Sequence, residues 1–394
     1  MNSMCYELVI ALIRAGVKGE SLDESIKAQI DESMLEALYK VSMAQDLAHV
    51  VAVALQKENL LPEDTEIGKK FKRQMSVVFY RYNMLTYEIG QIESVLEEHG
   101  IKHVLLKGSV LRDYYPEPWM RTSCDIDVLI EEKDIEAAKA IFIEKCGYEY
   151  ETTTSHDIAF HDASGRVHIE LHYKLIEDDR INKSDDILAR VWDVAELKEN
   201  CKFAYVLPTE MFYFYHISHM AKHFQDGGCG IKPVVDLWVI HNRMDYDAEK
   251  ADKALIEGEM LDFAAAARNL ASIWMDGAEY DDFSKLMESY ILYGGVYGNV
   301  ENRVAFHQVK KGSGFKYALS RIFLSYEELR FHYPVLNKHK WLFPFCQIRR
   351  WCKLIFCGGV KRSAHELKAN SSISENEKQQ NLYVLTHLGL YKEN

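Results

Sequence analysis

Six consecutive residues, Asp125-Ile126-Asp127-Val128-Leu129-Ile130, constrain this chain more than any other stretch. Side chains alternate across a strand, so Asp125 and Asp127 share one face while Ile126 and Val128 turn to the core. Carboxylates that close oppose each other's ionisation. Keeping them together costs stability unless a cation sits between them. The strand therefore needs a sheet with a covered apolar face and a carboxylate face that receives a cation.

The surrounding pattern places that sheet inside a mostly helical chain. Leu8, Ile10, Leu12 and Ile13, then Leu35, Leu38, Val41 and Met43, then Ala48, Val51, Val53 and Leu55, recur at helical spacing. Met84, Ile89, Ile92 and Leu96 line a further helix that stops at Gly100. From Ile101 the texture changes. Val104-Leu105-Leu106 reads as a buried strand, a short helix follows Ser109, and Pro116 and Pro118 mark a rigid loop before Asp125. Residues 135–146 form an amphipathic helix, and residues 158–161 and 167–173 form strands around the turn Asp162-Ala163-Ser164-Gly165. After Pro208 the helical pattern returns, over 211–224, 234–243 and 251–273. The expected class is α+β: a small mixed sheet with helices on one face, flanked by helical regions. The expected divisions are 1–98, 99–205 and 206–394.

Charge and cysteine usage narrow the function classes. Lys and Arg total 47 against 60 Asp and Glu, a net charge of −13 that argues against a nucleic acid partner. The 8 cysteines form no C-x-x-C pair and match no zinc spacing, which predicts reduced thiols and a cytoplasmic protein. Residues 1–20 lack the basic leader of a signal peptide, and no apolar run is long enough to span a bilayer.

Chemistry concentrates between Lys107 and Glu170. Gly108 lets the backbone approach a ligand closely, Ser109 offers a hydroxyl, and the strand-to-helix corner favours an anion. After fifteen intervening residues comes the Asp125/Asp127 pair, whose oxygen ligands suit Mg²⁺ shared with substrate phosphates. Glu170 shares a strand face with His168 and His172 and would add the third carboxylate that two metal ions beside a triphosphate require. Lys107 either contacts phosphate or faces solvent. Arg121 either neutralises a triphosphate, orients Asp125 or forms a structural ion pair.

The segment Leu105-Leu106-Lys107-Gly108-Ser109, Tyr115-Pro116, Arg121 and Asp125-Ile126-Asp127-Val128-Leu129 resembles the polymerase-beta type of nucleotidyltransferase. With the strand Ile169-Glu170-Leu171-His172, the helical His219-x-x-Lys222-His223 and Asp236-Leu237-Trp238, it is most similar to an uncharacterised bacterial branch of that superfamily. The resemblance implies Mg²⁺-dependent transfer of a nucleoside monophosphate from a nucleoside triphosphate, ATP foremost, with two ions and with Mn²⁺ as a substitute. By motif, Gly108 and Ser109 would hold phosphate, Asp125 and Asp127 both metals, and Glu170 the third ligand position.

Other residues keep two readings open. His219, Lys222 and His223 either line the cleft and touch substrate or are satisfied polar residues between regions. His216, His219 and His223 share a helix face, but no cysteine or carboxylate completes a zinc set. Asp236 is either a base for the acceptor hydroxyl or a capping or paired residue after Pro233. Residues 338–365 carry seven basic and no acidic residues, interleaved with Trp341, Phe343, Phe345 and Trp351. That segment is a core helix with a basic rim, a peripheral membrane contact or an RNA contact. The acceptor is a small molecule, a sugar intermediate or a protein. The alternatives to transfer are a non-catalytic nucleotide-binding module and a hydrolase with water as acceptor.

Overall fold

A mixed sheet of seven strands organises the molecule: β1 (His103–Leu105), β2 (Asp125–Ile130), β3 (Glu149–Thr153), β4 (Asp157–His161), β5 (His168–His172), β6 (Glu196–Leu197) and β7 (Ala204–Val206). The computed structural model describes residues 3–175, 181–294, 300–311, 313–356 and 373–391. Spatial order is β3-β4-β5-β2-β1-β7-β6. The β2–β5 and β1–β7 pairs are parallel and the other pairs antiparallel.

One face of the sheet is dry. Ile126, Val128 and Ile130 of β2, Ile158 and Phe160 of β4, and Ile169 and Leu171 of β5 pack against two helices. Leu85, Ile89, Ile92 and Leu96 come from the long helix Glu66–Glu98, and Ala138 and Phe142 from the helix Ile135–Glu144. The long helix starts where the Thr65 hydroxyl accepts the Gly68 amide at 3.2 Å. It is released at Gly100, whose φ of +72° suits a residue without a Cβ.

The opposite face carries the polar alternates and turns toward helices. Leu129, with Val104 and Leu106, enters a second, larger core. That core is built from the N-terminal helices Ser3–Lys18, Glu32–Ala44 and Ala48–Lys57 and from Thr209–Gln225, Lys232–Arg243 and Leu261–Asp276. Residues 324–346 enclose a small separate cluster of Leu324, Leu329, Leu336 and Cys346.

The expected α+β class is what the chain adopts, and the predicted helices and hairpin are present. Three strands lie beyond the sequence expectation: β3 and β6 at the two edges, and β7 beside β6. All five side chains of β3 are exposed, so no apolar alternation marks it. β6 and β7 are too short to show a period. Of the basic stretch 338–365, the part through Phe356 is described and includes the helix Phe343–Phe356, with Trp341, Phe345 and Ile348 exposed. Lys361 and Arg362 lie outside the described residues. No helix among the described residues is long and apolar enough to cross a membrane.

A buried ion pair ties the β1–β2 connection to the helical region. Arg121 Nε meets both Asp236 oxygens at 2.7 and 2.9 Å, and the Tyr115 hydroxyl donates to the same carboxylate at 2.7 Å. Asp236 is fully buried. Burial alone would raise its pKa, but the Arg121 charge and its hydrogen bonds hold it below the usual carboxylate range. Removing one partner leaves a buried charge alone. Asp236→Ala is therefore expected to lower unfolding free energy by about 3–5 kcal/mol in urea titrations. A loss below about 1 kcal/mol would show that the pair does not anchor the connection.

Candidate active site

The carboxylate face of the sheet gathers the site. β2 and β5 run parallel with Asp127 opposite Glu170, so the register itself places those two carboxylates side by side. Asp127 is buried; its Oδ1 accepts from Lys107 Nζ at 2.6 Å and from His172 Nε2 at 2.9 Å. Lys107 Nζ also stands 3.8 Å from Glu170, and His172 Nε2 3.3 Å from Glu170. Burial opposes ionisation of Asp127, but the Lys107 charge and the His172 hydrogen bond outweigh it and hold the carboxyl well below its usual range.

Asp125, two residues earlier on the same face, has the reverse environment. Its carboxylate makes no hydrogen bond or ion pair among the described residues. Burial and then the charge of Asp127 push it up to about 6. One carboxylate is thus satisfied by protein cations while its neighbour lacks one.

Lys107 reaches Asp127 through an unusual backbone. Its φ of +46° with ψ of −122° belongs to a region that side chains other than hydrogen seldom enter. Holding it costs on the order of 1–3 kcal/mol. Gly108 follows, where a Cβ would stand 2.0 Å from Ser123 Oγ and force that hydroxyl to move. The helix Gly108–Leu111 has four residues. Ser109 is buried, and its amide donates to Leu106 at 3.2 Å.

A cleft of about 680 Å³ opens on this face, a size ordinary for a small-ligand site. Lys107, Gly108, Arg121, Asp125, Asp127, Glu170 and His172 line it from the sheet side; His216, His219, Lys222, His223 and Asp236 line it from the helices. Ser109 instead faces a smaller cavity with Arg81, Tyr82, Arg112 and Trp119, which shares Gly108, Arg121 and Asp125 with the cleft. Arg121 and Asp236 reach the cleft wall while bonded to each other. His216 Nε2 is taken by the Pro233 carbonyl at 2.9 Å. His219 and His223 meet at 3.3 Å between their Nε2 atoms, so one donates to the other. Burial first, then the Lys107 and Lys222 charges, lower His223 to about 4; burial and Lys107 lower His219 as well.

Sequence reasoning missed several residues here. Asp46 comes from the N-terminal helical region, which offered no chemical signal, yet it pairs with Lys232 at 2.6 Å and accepts from Thr122 at 2.9 Å at the cleft. His156 and Asp157, at the start of β4, also line the cleft. The predicted strand began one residue after Asp157, so neither was placed opposite His172.

A mixed sheet bearing carboxylates on neighbouring strands beside a Lys-Gly-Ser turn is the core of a nucleotidyltransferase. The family model described as "Uncharacterised nucleotidyltransferase" matches residues 31–276, more than half of the chain, and the protein belongs to that family. Neither the curated proteins nor the solved structures give a significant match.

The two aspartates should respond oppositely to removal of charge. Without divalent metal, Asp125→Asn relieves repulsion and should raise Tm at pH 7.5. The folded chain binds the Asp125 proton more tightly than the unfolded chain, so wild type loses stability as pH rises from about 4 to about 6. The gain should therefore vanish at pH 4. Asp127→Asn strands Lys107 and His172 and should lower unfolding free energy by about 3 kcal/mol. Melts of both variants at the two pH values check this; equal shifts in one direction would contradict it.

Proposed function

We propose that the protein transfers a nucleoside monophosphate from a nucleoside triphosphate, ATP foremost, to a hydroxyl or similar group of an acceptor, with Mg²⁺. The observation that carries this reading is the arrangement of Asp125, Asp127 and Glu170 on two parallel strands. Asp125 in particular lacks a cation among the described residues. The donor set fits a hard divalent ion, since it is all carboxylate oxygen and tolerates phosphate as the remaining ligands. Asp125, Asp127 and Glu170 would hold it, and bound there it would neutralise triphosphate charge and polarise the phosphorus under attack.

The chain's own groups supply the rest. The Lys107 ammonium lies among the carboxylates and meets the phosphates as they enter. Gly108 presents bare backbone to the cleft they would enter. His172 holds Asp127 in place through its Nε2. His223, neutral at physiological pH because burial, Lys107 and Lys222 disfavour its charged form, can accept the proton of an acceptor hydroxyl. Asp125 must be ionised to bind metal, so turnover should rise with pH through about 6.

A second reading, nucleotide binding without transfer, draws on the 2.6 Å contact that already neutralises Asp127 with Lys107. The two separate in one experiment. Thermal melts with Mg²⁺ and each of ATP, GTP, CTP and UTP should show stabilisation of about 2.7 kcal/mol at a hundredfold excess over Kd. Asp125→Asn should abolish it. Radiolabelled nucleotide should then pass to an acceptor or, with water as acceptor, appear as monophosphate. Stabilisation with no product from any acceptor or from water would leave the binding module, and no stabilisation by any nucleotide would refute both.

A further inference from the structure

Behind the carboxylate pair lies a second group of potential ligands. One ring nitrogen each from His156 and His172 and one carboxylate oxygen of Asp157 lie within 4.8 Å of one another, and all three residues are buried. β5 carries His172, with β2 on one side of it and β4, where Asp157 is the direct partner of His172, on the other.

Hydrogen-bond bookkeeping fixes the state of His172. His172 Nε2 faces Asp127 at 2.9 Å and Glu170 at 3.3 Å, and carboxylates only accept, so Nε2 carries the hydrogen. The remaining nitrogen, Nδ1, is buried and has no hydrogen-bond partner among the described residues. A buried polar atom of this kind costs stability unless something binds it. On the other imidazole, His156 Nδ1 stands 3.1 Å from the Thr154 hydroxyl. That hydroxyl also bonds to Asp157 Oδ1 and accepts the backbone amides of His156 and Asp157, so it holds the ring beside the carboxylate. His156 Nε2 stands 3.8 Å from Asp157 Oδ2. Two imidazoles and a carboxylate gathered in one buried group, with a histidine nitrogen left unpaired on His172, are a cation's ligand set.

We propose that His156, Asp157 and His172 bind a transition-metal ion of the zinc class, distinct from the Mg²⁺ of the neighbouring carboxylates. Imidazole nitrogens favour such an ion over Mg²⁺, and two histidines with one carboxylate make a known zinc ligand set. The outer contacts agree. A metal-bound histidine ordinarily donates its other N–H to a carboxylate, and His172 donates to Asp127. Thr154 bonds to both other ligands and orients them. The ion would lock His172 as the Nε2–H tautomer and so hold Asp127 in position.

The test uses tag-free, full-length protein freed of metal by chelation and titrated with Co²⁺, a coloured stand-in for zinc. Wild type should take up an equivalent with the visible spectrum of nitrogen ligation, and zinc should displace it. His156→Gln and Asp157→Asn should each weaken binding at least about tenfold, whereas Asp125→Asn should leave it intact. Absence of that spectrum in wild type overturns the proposal. So does a spectrum that survives both the His156 and Asp157 substitutions, or one that Asp125→Asn removes. None of these readouts depends on transfer activity, so failure here and failure of the transferase reading are distinguishable.

Discussion

The buried carboxylate of Asp127 is the point on which the site turns. A charge taken out of water must be compensated on the spot, and here Lys107 and His172 do so from opposite sides. Lys107 ends the turn after β1, and His172 lies at the end of β5, so one carboxylate fixes the relation of three strands. Satisfying Asp127 in this way leaves Asp125 with no cation in contact among the described residues. The contrast between the two aspartates, one held low and one raised to about 6, follows from that unequal distribution.

The same logic recurs at the mouth of the cleft. Arg121 and Asp236 cancel each other in the interior, and Asp46 and Lys232 do so nearer to solvent. These pairs join segments from the N-terminal helices, the β1–β2 connection and the helix Lys232–Arg243. The cleft is therefore framed by charges that are already paired, and the carboxylate of Asp125 stands apart from them.

Local rules made the centre of the fold legible. Apolar alternation marked β2, the Asp-Ala-Ser-Gly turn marked the β4–β5 hairpin, and Gly100 marked the end of the long helix. The strand period put Asp125 with Asp127 and Glu170 with His172, because i and i+2 must share a face. What stayed hidden depends on distant parts of the chain. The pairing of Arg121 with Asp236 spans 115 residues and has no local signature. Asp46 reaches the cleft only through tertiary packing. β3 escaped because an edge strand exposed on all its side chains carries no hydrophobic rhythm. His156 and Asp157 were invisible because their meaning lies in the partner strand, not in their own neighbourhood.

Position 107 places two demands on one residue. Its backbone conformation, with φ of +46°, suits glycine, while its side chain must bring an ammonium to Asp127. No natural amino acid meets both, so the chain accepts conformational strain to retain the charge. An engineer grafting this turn onto another scaffold would meet that conflict directly. A glycine would ease folding and silence the charge, and a lysine would fold correctly only where the surrounding strands enforce the turn.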